Sequence, residues 1–133
     1  MSYNRIAILA DLRTQLVNGT CNPSPGLAEL AGRLLVDDTF NKTLLYKIAD
    51  RRPLAAALLW IRIADHLSGQ PRIEALALAA VFAFNAGNPG LAATHITTAD
   101  VATRRTERTE YPPMLNILKL DHRVRAHLPN AAA

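Results

Sequence analysis

Apolar residues return along this chain every three or four positions, and no period-2 alternation lasts long enough to propose a strand. The pattern predicts an all-α protein of about seven helices. The first covers roughly residues 4–17, with Leu9, Leu12 and Leu16 in a stripe beside Ile8. Ser24 then caps a helix with Pro25 in its first turn, and Leu27, Leu30, Ala31 and Leu34 mark its buried face. Asp37-Asp38 interrupts, with Asp38 placed to cap a third helix whose core residues are Phe40, Leu44, Leu45 and Ile48. Helix four, about 53–67, offers Leu58, Trp60, Ile61, Ile63 and Leu67, and Gly69 stands where its left-handed terminal residue belongs.

Helix five, about 71–86, is apolar nearly all round, so it belongs in the middle of a bundle, and its alanines permit close helix crossings. Gly87 ends it. Helix six starts at Asn88-Pro89, carries Leu91, Ala92, Ile96 and Ala99, and fades near Arg104. Helix seven, about 113–127, buries Met114, Ile117, Leu118 and Val124. One domain over 1–128 accounts for every element, with 129–133 as a frayed tail.

Pro53, Pro71 and Pro89 are spaced by 18 residues, which makes consecutive helix pairs near the length of a tetratricopeptide unit. In that register Ala80, Ala92 and Ala99 fall on small-residue positions, whereas Trp60 and Phe84 miss the aromatic ones. Ordinary alanine-rich hairpins fit equally well. Both readings describe antiparallel hairpins, tetratricopeptide-like in part, stacked on small residues.

The segment from Leu54 to Leu120 also resembles the C-terminal helical region of an actinobacterial family known as a domain of unknown function. The residues that carry the resemblance are Leu58-Leu59-Trp60, the run Ala79 to Ala92 around Asn85-Ala86-Gly87-Asn88-Pro89, and Tyr111-Pro112-Pro113-Met114-Leu115. Upstream, Leu35-Val36-Asp37-Asp38 is similar to that family's leucine–aspartate turn, but Thr39, Asn41 and Lys42 depart from the charges that follow it there. The resemblance implies an intracellular protein of an actinobacterium, or of a phage or plasmid of such hosts, and implies no activity.

Composition narrows the classes further. Half of the 133 residues are apolar, too many for a disordered chain, and the single Cys21 forms no internal disulfide. The longest apolar run is the ten residues from Ala75 to Phe84, against about 20 for a membrane span. A soluble cytoplasmic protein that does not enter membranes is the expectation. Aromatic residues make up 5%, which disfavours a base-stacking platform.

No phosphate-binding glycine loop, metalloprotease helix, nucleophile elbow or paired cysteine occurs. Asp65 and His66 diverge by about 100° on a helix and make no dyad. His122 and His127 are badly spaced as metal ligands, His95 stands alone, and Cys21 has no base beside it in sequence. We therefore expect no enzyme, no metal and no cofactor.

Charge singles out the remaining candidates. Arg51 and Arg52 precede helix four at the positive end of its dipole, unfavourable by roughly 0.3–1 kcal/mol each when exposed. Either Asp37, Asp38 or Asp50 pairs with them, or they form an anion- or carboxylate-binding site. Of the net charge of +4, three units belong to residues 104–133, where Arg104, Arg105, Arg108, Lys119 and Arg123 cluster. That segment reads as a solvated face with an Asp121–Arg125 pair, as a surface for an acidic protein, or as a phosphate contact. Together these features predict a non-catalytic adaptor or regulator that docks a protein partner, or a second copy, on a helical face. The alternative is a nucleic-acid-binding regulator using the basic C-terminal quarter.

Overall fold

The computed structural model describes residues 4–129, and within them the only regular elements are eight α-helices. They are α1 (Arg5–Asn18), α2 (Pro25–Leu35), α3 (Thr43–Ala49), α4 (Pro53–Ala64), α5 (Gly69–Asn85), α6 (Pro89–Arg105), α7 (Pro113–Leu118) and α8 (His122–Arg125). Apart from Pro129, the tail expected over 129–133 lies outside the described residues. No helix is long and apolar enough to cross a membrane.

The expected centre is correct. On α5, Ile73 and every residue from Ala75 to Ala83 are buried, because α4 and α6 flank it while α2 and α7 also pack on it. Short connections make α4, α5 and α6 successive antiparallel neighbours, so α4 and α6 run in the same direction on either side of α5. Their caps follow from local sequence. Asn88 Oδ1 accepts from the Leu91 amide at the start of α6. Gly87, at φ 78°, ends α5 in a Schellman motif, its amide bonded to Phe84 O and that of Asn88 to Ala83 O.

Four boundaries differ from expectation. Helix α4 stops at Ala64, where the Arg72 guanidinium donates to the Ala64 carbonyl at 2.9 Å and tight turns take up the amides of His66 and Leu67. Gly69 therefore does not terminate α4; its φ of 63° opens α5. Asp38 does not cap α3, because Asn41 Oδ1 lies nearer and accepts from the Thr43 amide. The last helix is broken in two: Asp121 Oδ1 accepts from the Arg123 amide and starts α8, a local bond that competes with a continuous helix.

The connection after α6 is tied down at long range. The Gln70 side chain donates to Glu110 O at 2.8 Å and accepts from its amide at 2.7 Å, holding the loop on the start of α5. Lys42 reaches Glu74 at 2.8 Å and fastens the entry to α3 against the same helix.

Asp50 occupies a conformation that a side chain resists. It has φ 49° and ψ −121° in the turn closed by the Arg52 amide on Ala49 O, the values of a type II′ turn in which glycine is usual. Strain of this kind costs on the order of 1–3 kcal/mol, and Asp50→Gly relieves it while raising the entropy of the unfolded chain. A net stabilisation of about 1 kcal/mol is expected from urea unfolding of the variant.

Candidate functional site

Helix α4 carries more apolar residues than one buried face uses. Ala56, Ala57, Leu59, Trp60, Ile63 and Ala64 are buried, while Leu54 and Leu58 stay 61% and 42% exposed. Leu54, Leu58 and Ile61 follow i, i+4, i+7 spacing and form a second stripe along α4. Leu58, expected in the core, belongs to this outer stripe. The stripe walls an open groove of about 500 Å³, completed by Leu91 and His95 one turn apart on α6 and by Gly19 and Cys21 of the loop after α1.

Two polar groups sit in this apolar setting. Cys21 is buried at φ 42°, and its Sγ–H donates to Ala55 O at 3.4 Å. Burial pushes the thiol pKa up, with Arg62 opposing in part, so the nucleophilic thiolate is disfavoured. His95 is 6% exposed and has no hydrogen-bond partner among the described residues, but no buried side-chain nitrogen there is left unpaired, so its ring nitrogens keep contact with solvent at the groove.

Burial also holds the His95 pKa below its ordinary 6.5. The unfolded chain takes up a proton at that value and the folded chain does not, so the neutral ring contributes stability above pH 6.5 that is lost as pH falls below it. Asp37, lowered by Thr39 and Arg5, and Asp121, lowered by Arg123, both titrate at about 2 and act in a far more acidic range. Unfolding free energy measured in urea is expected to decline between about pH 6.5 and pH 5. His95→Leu should flatten that slope, and an unchanged slope would assign it to other groups.

The predicted cations do not converge. Arg51 and Arg52 are exposed at the start of α4, beside the end of the groove that Leu54 lines, and α4 has no side-chain cap. Neither forms an ion pair among the described residues. Asp37 pairs instead with Arg5, which the fold of α1 over the α2–α3 turn brings within reach. Arg104, Arg105 and Arg108 lie at the opposite end of α6, about 25 Å along its length, exposed and likewise without an ion pair among the described residues.

Lys119 and Arg123, expected on an open helix face, are engaged within the fold. Lys119 Nζ lies 3.1 Å from Asp100 Oδ2 and 4.8 Å from the Tyr111 ring centroid. The Tyr111 hydroxyl donates to the same carboxylate, and burial, followed by that bond, pushes its pKa up. Arg123 pairs with Asp121 at 3.0 Å and covers the Phe84 ring, replacing the expected Asp121–Arg125 pair. The break between α7 and α8 is what redirects both side chains.

A second groove of about 550 Å³ runs between α3, α5 and α7, with Tyr46, Leu78, Met114 and Ile117 on its walls. Met114 and Ile117, expected in the core, are 41% and 57% exposed there, because the short α7 buries Leu115 and Leu118 instead. No group of three or more His, Cys, Asp or Glu among the described residues is placed to hold a metal ion.

The α4–α6 groove was not legible as such. Its one sequence signal is the surplus of leucines on α4, which reads equally well as a thicker core. No protein-family model, curated protein or solved structure matches the chain.

Proposed function

We propose that this chain is a non-catalytic protein-binding adaptor or regulator whose docking surface is the groove between α4 and α6. The observation that carries the reading is the exposed leucine stripe of α4 walling an open apolar groove. An apolar stripe at i, i+4, i+7 spacing is what one helix presents to another. Burying the His95 nitrogens fully without a hydrogen bond would cost roughly 1–3 kcal/mol, so an apolar partner leaves them in contact with water. Arg51 and Arg52 add a preference for acidic residues at the same end of the groove. A protonated, hydrogen-bonded Cys21 favours binding over nucleophilic chemistry.

We further propose, on the resemblance of the Leu54–Leu120 segment alone, that this activity belongs to the cytoplasm of an actinobacterium or of a phage host, with tetratricopeptide-like stacking of α4, α5 and α6. The test is affinity capture from such a host after nuclease treatment, with wild type compared to Leu58→Asp. Because Leu58 is partly exposed, the variant should keep its helical circular dichroism and lose the partner. Equal capture by both chains overturns the assignment of the groove.

Arg104, Arg105 and Arg108, exposed and without ion pairs among the described residues, support the second reading, in which the basic end of α6 contacts nucleic-acid phosphates. Engagement of Lys119 and Arg123 by carboxylates leaves that surface smaller than the sequence suggests. Retention on duplex DNA that falls steeply with salt would favour it.

A further inference from the structure

We infer that the occupant of the α4–α6 groove is the α4 helix of a second copy of this chain, paired antiparallel about Leu58. The inference rests on the reading of the groove as a docking surface and names its partner. Along α4 the outward stripe continues past Ile61: Leu54, Leu58, Ile61 and Asp65 follow i, i+4, i+7, i+11, and Asp65 still has helical backbone angles. Asp65 is exposed and, like Arg51 and Arg52, makes no ion pair among the described residues. One helix thus bears free cations before its first residue, apolar side chains at its middle and a free carboxylate at its end.

That order is self-complementary. With two copies of α4 antiparallel and Leu58 against Leu58, the turn that carries Arg51 and Arg52 in each chain lies beside Asp65 of the other, which is about 10 Å along the helix from Leu58. Leu54 lies opposite Arg62, whose stem can follow the leucine while its charge remains in water. The arrangement brings no like charges face to face. A twofold interface has this property by necessity, since one surface must match itself when reversed.

The pairing also accounts for the misplaced arginines. Within one chain Arg51 and Arg52 stand at the positive end of the α4 dipole. In the antiparallel pair each lies at the negative end of the facing helix, and each Asp65 lies at a positive end. The exposed leucines, the free charges and the dipole conflict are resolved by one contact. The pairing seats each leucine stripe in the groove of the other chain, with α6 flanking on both sides.

Sedimentation velocity of the full chain across about 1 µM to 0.5 mM tests this, with circular dichroism to establish that each variant folds. Wild type should dimerise, and Leu58→Asp should be monomeric throughout. Asp65→Arg alone, and Arg51→Asp with Arg52→Asp, should each weaken the dimer by about tenfold or more through like-charge contact, and the triple variant should recover it. A monomeric wild type overturns the pairing, as does a dimer that survives Leu58→Asp or charge reversals that do not rescue each other. If wild type is monomeric and Leu58→Asp still loses a captured partner, the groove reading stands and only the self-pairing falls. A monomeric wild type with capture unaffected by Leu58→Asp removes both.

Discussion

Trp60→Ala is expected to lower the unfolding free energy by about 3–5 kcal/mol, the largest loss available from one truncation in this core. Trp60 is 1% exposed and is the largest of the fully buried side chains. What makes the loss severe is its neighbourhood on α4. At i−4, i−3 and i+4 are Ala56, Ala57 and Ala64, all fully buried and too small to fill the space, which leaves Ile63 as the large same-face neighbour on α4. The cavity must then be met mainly by movement of α4 relative to its partners α1, α2, α3 and α5, which their own packing resists. Against a typical domain stability of about 5–15 kcal/mol, the variant loses about a fifth or more of its margin. Thermal unfolding should move down by about 10–20 °C for a chain of this size. A shift under about 5 °C would mean that the helices collapse onto the void.

The opposite perturbation should be nearly as damaging at Gly32. This glycine is buried on α2 where that helix crosses the connection from α4 to α5. A Cβ placed there would lie 2.9 Å from Leu67 Cδ2 and 3.3 Å from Pro71 Cβ. The leucine methyl can rotate away, and alanine returns about 1 kcal/mol of helix propensity, so Gly32→Ala should change stability by less than about 1 kcal/mol. Gly32→Leu has no such escape, because the proline ring cannot rotate away and the added side chain is much larger than the space a Cβ already overfills. Overpacking of this kind costs about 1–3 kcal/mol, and the rigid wall puts the expected loss at about 3 kcal/mol. The contrast between the two variants, measured by urea unfolding, is the diagnostic. Equal effects would show that α2 simply moves outward.

Gly32 also illustrates where sequence reading stopped. A glycine inside a helical pattern lowers the case for a helix, yet α2 runs through it because another segment lies against that point. Nothing within Pro25–Leu35 indicates that Leu67 and Pro71 are the neighbours. The same limit applies to Lys119, whose partner Asp100 is 19 residues away and comes within reach only when the loop after α6 turns back. Arg5 and Asp37 are 32 residues apart. Pairings at i, i+4 were predictable in kind; these were not, because they are set by which helices pack together.

The groove shows the limit from the other side. Leu54, Leu58 and Ile61 were visible as apolar, and their spacing was visible as helical. Whether such a stripe faces the core or open solvent depends on how many neighbours the helix has. Helix α5 has enough to be covered all round, and α4 does not.

By itself, the sequence determined the helical class, the central place of α5 and the caps at Ser24, Asn88 and Gly87. Each depends on residues within a few positions of one another, where backbone hydrogen bonds and hydrophobic periodicity act. Tertiary structure alone decided which apolar stripe of α4 stays uncovered, which arginines lack an ion pair among the described residues, and that His95 lines the groove. These outcomes are set by distances between segments far apart in the chain. Burial and ion pairing are properties of the assembled neighbours, and no single helix contains them.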